Sequence, residues 1–167
     1  MGLVTAFSAA ESSILGYHRA PEYNGRVFLN GERVRQSCQS MMDAYDVRPP
    51  DPGIRSGAFS GGNQQKLVLA REMEKHPLVL LIGQPTRGVD IGAIEFIHRR
   101  LVELRDAGAA VLLVSVELEE ILSLSDRILV MFEGRVVGTV AASDADPRML
   151  GLMMANAWAG SETAPSS

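Results

Sequence analysis

The residues best placed to do chemistry stand together at Phe59-Ser60-Gly61-Gly62-Asn63-Gln64-Gln65-Lys66. The chemistry they fit is anion capture. Two consecutive glycines let a backbone approach a ligand closely. A helix starting there would aim its unpaired N–H groups and the positive end of its dipole at the anion. Ser60 adds a hydroxyl donor or caps that helix. Ser-Gly-Gly by itself reads as a serine cap and a flexible turn. Three amide side chains and a lysine after the glycines exceed what a helix start requires. They favour a binding role for Ser60, Gly61, Gly62, Asn63 and Gln64.

Other polar groups carry less. Glu117, Glu119 and Glu120 have the composition of a metal or acid–base site. Acids also gather at a helix N-terminus for the dipole alone, and Gly83 and Gln84 offer no carboxylate to complete a hard-cation set. No metal ligand set and no catalytic residue is assigned. His18, His76 and His98 are scattered and read as surface or packing residues. Cys38 is the single cysteine. It excludes a disulfide within the chain, fits a reducing compartment and reads as a small helix residue.

The elements that must position these residues follow from local pattern. Ser8-Ala9-Ala10-Glu11 has the spacing of a capping box and predicts a short helix ending near Gly16. Residues 18–31 are rich in Pro, Gly and Asn and read as loop. Apolar spacing of three and four predicts a helix over 33–45, closed by the turn-rich connector 48–53. A second helix is predicted from Ser60 to about Glu74, stopped at His76-Pro77. Residues 78–82 form a continuous apolar run, the pattern of a strand buried on both faces. A loop over 83–90 leads to a helix over 93–106, with Gly108 as its stop. Residues 110–114 read as a second buried strand and 118–124 as a short helix. Residues 127–132 and 135–140 around Glu133-Gly134 read as a hairpin. A last helix is predicted over 147–157 and a disordered tail over 160–167. The strand–helix alternation predicts an α/β class with a parallel sheet core and a separate helical piece. The expected divisions are 1–76 (helical subdomain), 77–140 (core) and 141–167 (terminal helix and tail).

Composition sets outer bounds. The chain has 167 residues, 46% hydrophobic and 22% charged, as in a globular domain with a real core. A net charge of −4 argues against nucleic acid as a partner. No basic-then-apolar leader opens the chain, and its first residues do not read as the start of a fold, which predicts a truncation or an alternative start. The longest apolar run is far below the roughly 20 residues a membrane-spanning helix needs, so any membrane association is expected through a partner.

Taken in order, these segments resemble the nucleotide-binding domain of ATP-binding cassette (ABC) importers, a P-loop NTPase fold. Ser60–Lys66 resembles the signature motif in its Asn-Gln-Gln-Lys form, seen in sugar and nucleoside importers. Residues 78–82 with Gly83-Gln84-Pro85-Thr86-Arg87-Gly88-Val89-Asp90 resemble the Walker B strand and the D-loop, with Asp90 its aspartate. The strand Val111–Val114 ends at Ser115, and Val116-Glu117-Leu118-Glu119-Glu120 after it resembles the switch segment; Ser125–Ile128 with Glu133-Gly134-Arg135 resembles the last hairpin of the cassette. The whole looks like the back part of the second cassette of a two-cassette importer ATPase. The departures are specific. No glycine precedes either lysine, Lys66 or Lys75, so a Walker A loop is absent. Gly83 and Gln84 stand where the family has a magnesium-organising aspartate and a general-base glutamate, and Val116 stands where it has histidine.

The resemblance implies that ATP and Mg2+ act in an assembled, shared site, with neither tightly bound by this chain alone. It implies a second nucleotide-binding cassette and membrane permease subunits as partners, and a substrate-binding protein indirectly. It implies a cytoplasmic position, peripheral on the inner face of the plasma membrane. The chain would donate its signature loop to ATP held by the partner cassette. The alternative is a non-catalytic module that only docks on a permease or cassette. A soluble cassette protein acting on DNA or ribosomes is disfavoured by the acidic balance.

Overall fold

Ser8 opens the first helix as its sequence requires. A computed structural model describes residues 2–25 and 28–157. The Ser8 side chain accepts from the Glu11 amide, and the Glu11 carboxylate accepts in return from the Ser8 amide, at the start of α1 (Ala9–Ser13). Asn30 caps α2 (Gly31–Ala44), whose three- and four-residue spacing buries Val34, Cys38, Met41 and Met42. Ser60 caps α3 (Gly61–Met73), which buries Leu67, Leu69, Ala70 and Met73. Strand β1 (Val79–Gly83), helix α4 (Ile91–Asp106) and strand β2 (Ala110–Val114) follow. Then come α5 (Leu118–Leu124), β3 (Arg127–Phe132), β4 (Arg135–Ala141) and α6 (Pro147–Met154). Within the segment read as loop, Pro21–Tyr23 makes one 3-10 turn. The last helix stops at Met154, short of its predicted end, and the predicted tail lies outside the described residues.

The chain divides into two compact units, Met1–Leu112 and Leu113–Ser167. In the first, helices α1, α2 and α3 pack on one another around Cys38, Met42, Val47 and Leu67, all fully buried. Arg71 of α3 is buried here because its charge is spent within the unit. Its Nη1 donates to the carbonyls of Gly2 and Ser12, and its Nε meets Glu72 at 2.7 Å. Strands β1 and β2 are neighbours in one sheet, joined through α4, the kind of helical crossover that a parallel pair needs.

The two strands differ from the sequence expectation in one respect. Each is covered on one face only. Leu80 and Ile82 are buried, whereas Val79 and Leu81, pointing the other way, are exposed, and β2 alternates between exposed and half-buried positions. A continuous apolar run records what a strand is built to bury on both sides. It cannot tell whether both covers lie within the same stretch of chain.

In the second unit β3 and β4 pair antiparallel, Arg127 opposite Ala141, with an irregularity after Val130. Ile128, Val130, Leu150 and Met153 form its buried centre, flanked by Leu118, Ile121 and Val140. A Cβ at Gly138 would collide with Met153 Cε, so this close strand–helix contact depends on a glycine.

Gly138→Ala should destabilise by about 1–3 kcal/mol through overpacking. The double variant with Met153→Ala should cost less than the sum of the singles in chemical denaturation, because the colliding atom is gone. Burial pushes the Cys38 thiol up to about 11, outweighing a hydrogen bond with Ser13 that acts the other way. The thiolate is therefore scarce at neutral pH, and alkylation of native protein should be slow and should accelerate only as denaturant unfolds the chain.

Candidate phosphate-binding site

Residues Ser60 to Gln64 lie at the N-terminus of α3, and the structure assigns each side chain a separate task. Ser60 is exposed, and its Oγ accepts from the Asn63 amide at 3.3 Å and from Asn63 Nδ2 at 2.9 Å. Its own hydroxyl hydrogen is left to donate outward. Asn63 Oδ1 in turn accepts from the Arg48 amide at 2.8 Å, so Asn63 ties the cap to the connector before it. Gln64 points inward: Nε2 donates to the Phe59 carbonyl at 2.8 Å, and Oε1 is buried without a hydrogen-bond partner among the described residues. Lys66 Nζ donates to the Asp46 carbonyl at 3.1 Å and lies 4.9 Å from the centroid of the Phe96 ring. The Arg48 hydrogen bond first, and the Lys66 charge after it, hold the Asp46 carboxyl below the usual carboxylate range.

What remains free to meet a ligand is small. The Gly61 and Gly62 amides precede the first intrahelical bond, which Gln64 makes to the Ser60 carbonyl at 2.9 Å. Together with the Ser60 hydroxyl they are three donors at the positive end of a helix of 13 residues. The five residues thus differ: Ser60 and Gly61 are exposed, Gly62 is buried, and the side chains of Asn63 and Gln64 are engaged within the loop.

Gly62 has a second role that its position in the sequence does not reveal. It is buried, and a Cβ there would lie 3.2 Å from Asp90 Oδ2 and 3.4 Å from the Ala93 Cβ. A Cβ on Gly61 would lie 3.3 Å from the Gly88 carbonyl. Asp90 meanwhile caps α4, its Oδ1 accepting from the Ala93 amide at 2.9 Å. The starts of α3 and α4 are therefore pressed together, and one carboxylate stands at both. Arg48, Ala93 and Phe96 support the site through contacts distant in sequence, and none carries a local signal that would have singled it out.

Of the other positions singled out in sequence, Gly83 and Val116 are exposed and Gln84 is half-buried. Gly83 ends β1 with nothing within 4 Å of where a Cβ would stand. Gln84 follows in the left-handed region at φ 51°. Val116 is 63% exposed in the second unit.

These contacts give substitution effects that precede any ligand. Gly62→Asp sets a second carboxylate against Asp90 and should destabilise the chain by about 1–3 kcal/mol. Ser60→Ala should cost about 0.5–2 kcal/mol as a lost cap, whereas Ser60→Gly should cost only a few tenths and Ser60→Asp should keep the cap. Denaturant midpoints of the four variants check this ranking.

No family model matches the chain. It is 47% identical to the guanosine import ATP-binding protein NupO of Bacillus subtilis (strain 168), over 92% of this chain and 30% of that protein. It is 43% identical to the glucose import ATP-binding protein TsgD13 of Haloferax volcanii, over 81% of this chain and 25% of that protein. The chain thus spans about a third or less of the length of the relatives it matches. Among solved structures it is similar to the dimeric post-hydrolysis state of the ATP-binding cassette MJ0796 bound to ADP and Pi. The TM-score is 0.67 at 21% identity, over 84% of this chain and 59% of that one. That likeness shows the fold, part of a P-loop NTPase cassette. By its sequence relatives, of which it spans a part, the chain belongs to the family of ABC import ATP-binding proteins.

Proposed function

We propose that this chain serves an ABC importer by donating Ser60, Gly61 and Gly62 to the γ-phosphate of ATP held by a partner cassette. The observation that carries this reading is the exposed Ser60 and Gly61 beside Gly62 at the unpaired N-terminus of α3, backed by Asp90 and the start of α4. Donors fixed before the reaction cost no reorganisation as charge shifts in phosphoryl transfer. The dimeric state of the similar cassette MJ0796 supports a paired assembly. The relatives' import roles support nucleosides or sugars as cargo, with a permease as membrane partner and a substrate-binding protein beyond it. Peripheral attachment at the inner face of the membrane goes with that import role; the described residues include no helix long and apolar enough to cross a membrane.

The fit differs between the two parts of the cofactor. Phosphate suits the α3 donors. Magnesium does not suit the positions at the end of β1, where Gly83 has no side chain and Gln84 has an amide in place of a carboxylate. The described residues supply neither a Walker A lysine nor a general base at these places, so the lone chain is expected to bind ATP weakly and not to hydrolyse it.

A second reading has its own support. Ser60 already works as a cap, and Asn63 and Gln64 are tied into the loop. A docking module needs nothing more of them. ATP hydrolysis by the chain reconstituted with its partner cassette and permease separates the two. In the donor reading, Ser60→Asp keeps the cap and sets a negative charge where phosphate must come. It should lower hydrolysis about 100- to 1,000-fold, equivalent to about 2.7–4 kcal/mol, and Ser60→Gly should fall in the same direction. Wild-type turnover by both variants would leave only the docking module.

A further inference from the structure

The hydrogen bonds around Asn63 have a polarity, and that polarity decides where the Ser60 hydroxyl can point. The backbone N–H of Arg48 can only donate, so the oxygen of the Asn63 side chain must face it, at 2.8 Å. The side-chain nitrogen is then the group left to face Ser60, and it donates to Ser60 Oγ at 2.9 Å. The Asn63 backbone amide donates to the same oxygen at 3.3 Å. Both acceptor positions of Oγ are thereby filled, and the hydroxyl hydrogen has no acceptor among the described residues. The Arg48 end of the chain of bonds is itself tethered, because Lys66 Nζ donates to the Asp46 carbonyl at 3.1 Å.

We propose that Asn63 is the positioning residue of the phosphate contact: anchored by the Arg48 amide, its side chain keeps the Ser60 hydrogen turned out of the loop, toward the γ-phosphate. The inference rests on the donor reading of Ser60 and adds the residue that orients it. Asn63 touches no ligand in this role. A hydroxyl otherwise has three staggered positions, and one already turned toward its acceptor needs no reorganisation as charge shifts in the reaction. An amide side chain can do this because it accepts at one atom and donates at the other. Aspartate has the same shape and keeps the acceptor for Arg48. Its second oxygen only accepts, so Ser60 would turn inward and donate to it through a charge-assisted bond.

The test is single-turnover ATP hydrolysis by the chain reconstituted with its partner cassette and permease. Asn63→Asp is compared in the wild-type and the Ser60→Gly backgrounds. With Ser60 present it should slow hydrolysis at least about tenfold, as for a donor turned away from the reacting group. With Ser60→Gly there is no hydroxyl to turn, and the same substitution should cost at most about threefold, the remainder of its added charge. The denaturant midpoint of Asn63→Asp should stay at or above that of wild type, because an acid in the first turn favours the helix. A role in holding the loop alone therefore predicts undisturbed turnover. Provided Ser60→Gly itself is slow, three results would overturn the inference and leave the donor reading standing: wild-type turnover by Asn63→Asp, an equal loss in both backgrounds, or a lowered midpoint, which would mean that the Arg48 bond was not kept. Wild-type turnover by Ser60→Gly would instead remove the donor reading, and this inference with it.

Discussion

The contact on which the candidate site depends is the missing side chain of Gly62 against Asp90. A residue without a Cβ lets the first turn of α3 settle onto the first turn of α4 unhindered; a Cβ would stand 3.2 Å from Asp90 Oδ2 and 3.4 Å from the Ala93 methyl, and these neighbours would have to give by a few tenths of an ångström. The same carboxylate caps α4 through its other oxygen. Two helix starts are thereby fixed relative to each other by one charged group, and the Ser60 hydroxyl and glycine amides inherit a defined direction. Asn63 and Lys66 strengthen the arrangement from the other side, through the Arg48 amide and the Asp46 carbonyl.

This geometry changes how the signature-like string is understood. In isolation the two glycines look like an adaptation to a ligand. In the structure Gly62 answers first to packing within the chain, and Gly61 retains the open side. The amide side chains, which from the sequence suggest extra ligand contacts, also hold the loop: Asn63 bridges cap and connector, and Gln64 donates to the Phe59 carbonyl. A substitution at Gly62 therefore confounds folding with ligand approach. Ser60 is the cleaner position, because Gly and Asp both preserve the helix start there.

Ser8, Asn30, Ser60, Asp90 and Asp146 all cap helices, and the spacing of apolar residues in α2 identifies its buried stripe. Those signals are local, so sequence alone carries them. The hairpin turn at Glu133-Gly134 is local in the same way, with positive φ at both residues. The pairing of Gly62 with Asp90 spans residues far apart in the chain and has no local mark. The one-sided cover of β1 was likewise beyond reach, because Val79 and Leu81 are as apolar as Leu80 and Ile82, and only packing distinguishes them.

The central claim is that Ser60, Gly61 and Gly62 meet phosphate across an interface. Amide hydrogen exchange at Gly61 and Gly62, measured with the partner cassette and permease present and with ATP exchanged for ADP, reads those donors directly. The account predicts slowed exchange at both amides with ATP and faster exchange with ADP, since the γ-phosphate is their acceptor. Equal exchange in the two nucleotide states, in an assembly that still hydrolyses ATP, would contradict it.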